Sequence, residues 1–467
     1  MPMKMLFLLT ITCFLLSFMV CEVRFAFTIF RDAATSPELL DPTNSDLAGE
    51  VWNNTGDLTG SGMRMHFLLG YNNINRWSSF LSASYNSNEL FVKSTPNKSA
   101  VSSVISNLQG LYSPSTGPVL SLNQQTKAVP PVTSLILSAE QITLATNALP
   151  NLEQVIPIDM FTLNDKYYFF DYNFNSCPAL LNLVNTNAQL TKNVNTVQHF
   201  NISWGTLLKA AINYPDSDWL QNFDNINRVC DEFISDYVDD RTMTSFTNAG
   251  INLNLFNTDC QNFKYQSNFY YYNWDANHSF AKVSSSSIFQ DIERWMQSRV
   301  SNDVQGIGYF GSNPKLVVYS ANDLILGSMQ TVLAAAFNIG HYFATPYTSS
   351  FIFELSVPDN SNLSLLTPDD YTVTITYNEV TYLSATPFPQ FVTTLDAYLL
   401  TTQQIDKFCG WISPNVNNSL NYYINATIAL SCALFVALIA ILVLLIRKSK
   451  RSGSVMEFNP ERPLDSV

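Results

Sequence analysis

The spacing of apolar and polar residues changes several times along the chain, and each change marks an element. Val23 to Phe30 is continuous, apolar and rich in aromatics. That is the pattern of a strand buried on both faces. It runs straight into Arg31-Asp32 and a small polar turn, Ala33-Ala34-Thr35-Ser36-Pro37. A loop rich in turn residues follows, with Pro42, Asn53, Asn54 and Gly56. Met63, Phe67, Leu68 and Tyr71 then recur at helical spacing and predict a helix. Glu89-Leu90-Phe91-Val92 predicts a second short strand, ending at Lys93-Ser94-Thr95, and Val101 to Leu111 a further helix.

Residues 116–150 are polar, contain proline and hold no strong period, the mark of an excursion. From about 175 to 300 the pattern is mostly helical, with Leu180, Leu183 and Val184 on one apolar face. Lys315 to Ser320 predicts a third strand, ending at Ala321-Asn322-Asp323, and a helix from Leu324 to Phe337 follows. Phe351 to Leu355 and Tyr371 to Tyr377 alternate like antiparallel strands. Strand–loop–helix units flanking a helical middle imply an α/β sandwich with a mainly helical second domain.

The two ends carry a different signal. Lys4 precedes an apolar run from Met5 to Val20, the length and polarity of a cleaved signal peptide over 1–21. Residues 422–446 hold no charge, enough to span a bilayer as one helix, and Arg447-Lys448-Ser449-Lys450-Arg451 follow. The basic cluster belongs on the cytoplasmic side. The expectation is a single-pass type I membrane protein with a lumenal or extracellular ectodomain and a tail over 447–467. The tail lacks tyrosine, and its terminal Asp465-Ser466-Val467 is a candidate PDZ ligand by strand addition.

N-x-[ST] sequons begin at Asn53, Asn97, Asn201, Asn277, Asn362, Asn417 and Asn425, all on the lumenal side, with Asn425 too close to the membrane for modification. Of the 7 cysteines, Cys177, Cys230, Cys260 and Cys409 remain once Cys13, Cys21 and Cys432 are set aside with the signal and the span. Four cysteines in an oxidising compartment suggest two disulfides, and sequence alone permits three pairings. The net charge of −13, with only 24 Lys+Arg, argues against nucleic acid as a partner. No metal-ligand spacing links His66, His199, His278 and His341, and no cofactor is expected.

Three strand ends carry polar residues in an order that resembles the histidine acid phosphatases, of the lysosomal and prostatic type. The family's Arg-His-Gly-x-Arg-x-Pro corresponds to Arg31-Asp32-Ala33-Ala34-Thr35-Ser36-Pro37. Its Leu-Thr-x-x-Gly-Met and later Leu-Gly appear as Leu58 to Met63 and Leu69-Gly70. Its Arg-Ser-Thr appears as Lys93-Ser94-Thr95, and its Tyr-Ser-Ala-His-Asp as Tyr319 to Asp323. Ile156-Pro157-Ile158 and Asn175-Ser176-Cys177-Pro178 stand where a cap begins in such proteins. The resemblance spans about 23–409. It implies a phosphatase-like α/β domain over 22–115 and 300–411, with the insertion and helical cap over 116–299.

The resemblance also assigns roles. The nucleophile position is Asp32, the phosphate-gripping positions are Arg31, Thr35, Lys93 and Asn322, and the proton donor position is Asp323. The family's nucleophilic histidine, one arginine and second histidine are replaced, and another arginine has become lysine. A site that should hold several cations around a dianion has two cations, Arg31 and Lys93, facing Asp32 and Asp323. Phosphoryl transfer depends mostly on electrostatic stabilisation, and lysine lacks the bidentate fork of arginine. The reading is an inactive family member that acts by binding a small anionic ligand or a protein; its rival is an acid phosphatase with altered machinery. An aspartyl-phosphate mechanism on Asp32 lacks the second aspartate such sites require.

The resemblance further implies a Cys177–Cys409 pair. Cys230 resembles another family cysteine whose usual partner position holds Ser350, which leaves Cys230–Cys260 as the second pair. Because the family is often dimeric, a homodimer is expected. The run Phe269 to Trp274 is a candidate aromatic platform, explained more simply by cap packing.

Overall fold

The structure, a computed structural model, describes residues 21–37, 52, 54–128, 146–162, 165–169, 176–187, 192–212, 219–272, 275–301, 314–339, 344–359 and 361–411, with five isolated positions between 431 and 443. Met1–Cys409 form one compact unit and Gly410–Val467 a second. The leader 1–20, the sequons at Asn53, Asn417 and Asn425, and nearly all of 422–446 lie outside the described residues. Among the described residues no helix is long and apolar enough to cross a membrane.

The first unit is built on a seven-stranded mixed sheet. Its strands are β1 (Cys21–Arg31), β2 (Leu90–Ser94), β3 (Asp159–Met160), β4 (Leu316–Ala321), β5 (Ser350–Pro358), β6 (Thr372–Tyr377) and β7 (Val380–Pro387). Their spatial order is β3-β2-β4-β1-β5-β6-β7. β4 runs parallel to both β1 and β2, while β5, β6 and β7 continue antiparallel from β1. The apolar run of β1 from Phe25 to Phe30, interrupted only by the buried Thr28, is explained by its central place. Ala26 and Phe30 face one layer, with Trp77, Val104, Leu108 and Leu111. Phe27 faces the other, meeting Tyr319 and Phe353, and Phe353 in turn meets Phe289.

Helices α1 (Gly60–Trp77) and α2 (Lys98–Leu111) cover the first face. The residues whose spacing reveals α1 are not the ones it buries. Gly62, His66, Gly70, Asn73 and Trp77 point inward, whereas Met63, Leu68 and Tyr71 are half exposed at 48%, 56% and 50%. The reason is close backbone approach. A Cβ on Gly70 would lie 2.0 Å from the Asn107 carbonyl oxygen, and one on Gly110 1.9 Å from that of Phe67. Glycine contacts, not bulky side chains, select the buried face.

A helical cluster fills the middle of the chain. It contains α3 (Lys192–Ala211), α4 (Phe223–Val238) and α5 (Leu253–Tyr272), packed around Phe200, Trp204, Phe233, Phe256 and Phe263. The Cys230–Cys260 disulfide joins α4 to α5 within this core, and Cys177–Cys409 forms the second bridge. Helix α6 (Ser279–Ser301) lies within the 116–299 segment, yet its Phe289 and Trp295 pack on Phe353 and Phe91 of the sheet. α7 (Asp323–Phe337) follows β4 directly. The side chains of Phe269 to Trp274, the candidate aromatic platform, and His341 lie outside the described residues.

The end of the unit holds elements that the residue pattern does not announce. β6 and β7 form a hairpin turning at Asn378 and Glu379, both left-handed at φ 47° and 66°. A two-residue turn of that kind usually carries Asn-Gly, so Asn-Glu hides it. α8 (Phe388–Asp396) and α9 (Thr402–Cys409) complete the unit.

Candidate functional site

Parallel pairing brings the polar strand ends together. β1 and β4 run in register to Arg31 and Ala321, so Arg31-Asp32 and Asn322-Asp323 leave the sheet side by side. The ends of parallel strands, where the chain turns into helices, are where open α/β sheets bind ligands. Here Arg31, Asp32, Thr35, Ala321, Asn322 and Asp323 line a cavity of about 140 Å³. Asn97, Ser99 and Ala100 at the start of α2 form another wall, and Asp231, Lys264 and Tyr347 close it from above. Two helices begin at this cavity, each presenting backbone N–H groups and a favourable dipole end for an anion. Asn97 caps α2 through the Ser99 N–H, and Asn322 caps α7 through the Ile325 N–H.

Arg31 is the central cation. Its NH1 donates to the Thr345 carbonyl oxygen at 2.7 Å and lies 4.0 Å from Asp323 Oδ2, its Nε is 3.4 Å from Asp32 Oδ1, and its guanidinium stacks over Tyr347. Burial pushes the Asp32 carboxyl above its ordinary value; Arg31 pulls it back down, and the neighbouring Asp323 adds to the rise. Asn322 spends its carbonyl oxygen on the helix cap, and its Nδ2 is buried with no hydrogen-bond partner among the described residues. The cavity keeps four of the five expected positions besides Arg31: Asp32, Thr35, Asn322 and Asp323.

Lys93 is the exception. Its ammonium is buried over the Phe161 ring at 4.1 Å and stands 4.0 Å from Asp165, and it is not among the cavity-lining residues. The cation that does reach the cavity is Lys264 of α5, paired with Asp231 of α4. Burial opposes its charge, but Asp231, with Tyr347 and Asp323, more than compensates and raises the lysine above its ordinary value. Sequence reading missed both residues. The signal was present, because Asp231 follows Cys230 and Lys264 lies one helical turn beyond Cys260; the Cys230–Cys260 pair therefore brings them together. The cavity holds Arg31 and Lys264 against Asp32, Asp231 and Asp323, so it is not electropositive. The expected balance was two cations, Arg31 and Lys93, against Asp32 and Asp323; here Lys264 stands in place of Lys93 and Asp231 adds a third carboxylate.

A stray imidazole is the group that could restore nucleophilic chemistry. His66 is close behind Arg31, but it is fully buried against Phe30, with ring centroids 4.7 Å apart. Burial holds it down to about 3, hence neutral, and it does not line the cavity. His199 lines a separate surface cavity in the helical cluster. Among the described residues no group of His, Cys, Asp and Glu is placed to hold a metal.

No protein-family model matches the chain. Over 346 residues it is 23% identical to the lysosomal acid phosphatase of Xenopus laevis, covering 74% of this chain and 68% of that protein. The likeness supports the resemblance to the histidine acid phosphatases read from the strand-end motifs. The fold agrees. A Hafnia alvei phytase bound to tartrate superimposes with TM-score 0.54 at 10% identity, covering 82% of this chain and 98% of that one. The phytase of Citrobacter braakii gives 0.53 at 11% identity, covering 83% and 99%. The chain is thus phosphatase-like in sequence and fold, and its strand-end cavity is lined by Arg31, Asp32, Thr35, Asn322 and Asp323 but not by Lys93.

Proposed function

We propose that this protein is a catalytically inactive histidine acid phosphatase relative, held in a membrane by residues 422–446, whose ectodomain binds a small anion in the strand-end cavity. The observation that carries the reading is Asp32. It lines the cavity at the nucleophile position of the family motif, and among the described residues no imidazole shares that cavity. Losing a covalent nucleophile lowers turnover by on the order of 10⁴-fold or more, whereas binding an anion requires no nucleophile. Arg31, the Asn322 amide and two helix N-termini support anion binding without turnover. The charge-free stretch at 422–446 and its basic flank support anchoring, with the ectodomain lumenal or extracellular.

The deciding assay is hydrolysis of an aryl phosphate by purified protein between pH 4 and 6. The expected result is no turnover above background; turnover abolished by Asp32→Ala overturns the reading. The retained Arg31–Asp323 pair favours one rival, a phosphomonoesterase using Asp323 as proton donor. Under that rival Asp323→Asn abolishes a measurable rate.

A further inference from the structure

We propose that Asn97 carries an N-linked glycan whose stem stands in the mouth of the strand-end cavity and restricts its occupant to a small free anion. The inference deepens the reading of a lumenal, anion-binding ectodomain and rests on it. Asn97-Lys98-Ser99 is a sequon, and both Asn97 and Ser99 line the cavity alongside Asp32 and Asn322. The Asn97 side chain is divided between two tasks. Its Oδ1 caps α2, accepting from the Ser99 N–H and the Ser99 hydroxyl, both at 3.1 Å. Its Nδ2, the atom to which the sugar is joined, makes no hydrogen bond among the described residues. Attachment replaces one N–H on Nδ2 and leaves the amide oxygen in place, so the cap survives modification. Transfer takes place on the unfolded chain, and the half-buried setting of Asn97 then fixes where the sugar leaves the protein. At about 140 Å³ the cavity has room for an inorganic anion together with its water. A sugar stem on its rim leaves room for free phosphate and blocks a phosphate borne on a polypeptide.

The fold supplies a clean control. Lys98→Pro abolishes the sequon, because proline is not tolerated at its middle position, and leaves both lining residues intact. Lys98 is the first residue of α2, where proline is well accommodated. Asn97 already has φ −67° and ψ 137°, the backbone that a residue before proline prefers. The change removes an exposed contact from Lys98 Nζ to Asp57 and the Lys98 backbone N–H, one of several at the start of α2, which is why phosphate affinity is allowed a small shift.

The experiment uses full-length protein from glycosylating eukaryotic cells, with the exposed sequons at Asn277 and Asn362 as internal references. Glycopeptide mass spectrometry should find Asn97 occupied. Endoglycosidase should trim Asn277 and Asn362 on the native protein, and Asn97 at least 10-fold more slowly until denaturation. In calorimetry, inorganic phosphate should bind wild type and Lys98→Pro within about 3-fold, while a phosphotyrosine peptide gains at least 10-fold on Lys98→Pro. An empty Asn97 beside occupied Asn277 and Asn362 overturns the inference and leaves the lumenal reading standing. Equal trimming rates, or a peptide indifferent to Lys98→Pro, overturn it as well. If no sequon is occupied the lumenal reading fails, and if phosphate binds neither protein the anion-binding reading fails.

Discussion

Asp32 is held where water cannot fully solvate it, with Arg31 on one side and Asp323 nearby on the other. Its folded-state affinity for a proton therefore exceeds that of the unfolded chain. The native state then binds more protons than the unfolded state at pH values above about 3.8, and stability falls as pH rises through the raised value. Asp32→Asn removes that burden while preserving shape. It should raise the melting temperature at pH 7 and change it little at pH 3.5, which differential scanning fluorimetry at the two pH values reads directly. An equal shift at both would mean that the carboxyl is not the source. Arg31, Asp32, Asn322 and Asp323 stand where an apolar run stops, and they and Thr35 were legible through the resemblance of those segments to the histidine acid phosphatase motifs. Lys93 satisfied the same rule and still turned away. The rings of Phe161 and Tyr168 take up its ammonium, and that choice depends on segments distant in sequence.

Elements meet through contacts that periodicity does not report. α1 and α2 approach so closely that Gly70 has no room for a methyl group, and the atom in the way is backbone, which cannot yield cheaply. Gly70→Ala gains up to about 1 kcal/mol in helix propensity but should lose roughly 1–3 kcal/mol to overpacking. Urea denaturation should show a lower midpoint with an unchanged slope. Glu293 of α6 is half-buried within the electrostatic reach of Asp396 of α8. Burial, then the charge of Asp396 and its hydrogen bond, raise Glu293 from 4.5 to about 8. The contact is therefore strongest when Glu293 is protonated, and its contribution fades as pH climbs from 4.5 through 8. Glu293→Gln should flatten the melting temperature between pH 5 and pH 9, mainly by stabilising the alkaline end. The sequence announced β1, β4 and α7 through long uniform patterns. It concealed the hairpin at Asn378-Glu379 and the buried face of α1, where the decisive groups are backbone.

At the scale of the whole molecule, the two disulfides divide stability from site geometry. Cys177–Cys409 closes a loop with a sequence separation of 232, and Cys230–Cys260 one of 30. On chain entropy the longer closure stabilises more, about 5 kcal/mol against about 3–4 kcal/mol. Their positions reverse that ranking for function. Cys177 and Cys409 bridge the start of the helix Pro178–Asn187 to the end of α9, away from the cavity. Cys230 and Cys260 lie next to Asp231 and one turn from Lys264, the pair that closes the cavity from above. Replacing Cys177 and Cys409 by serine should lower the melting temperature most and leave phosphate affinity within about 2-fold. Replacing Cys230 and Cys260 should cost less stability yet weaken phosphate binding several-fold, because α4 and α5 no longer hold Lys264 at a fixed height above Arg31. Titrating phosphate into both double variants by calorimetry, below their melting temperatures, separates the effects. If both lose affinity equally, the cap acts only through overall stability, and the placing of Lys264 by its neighbouring disulfide is not what sets the charge of the site.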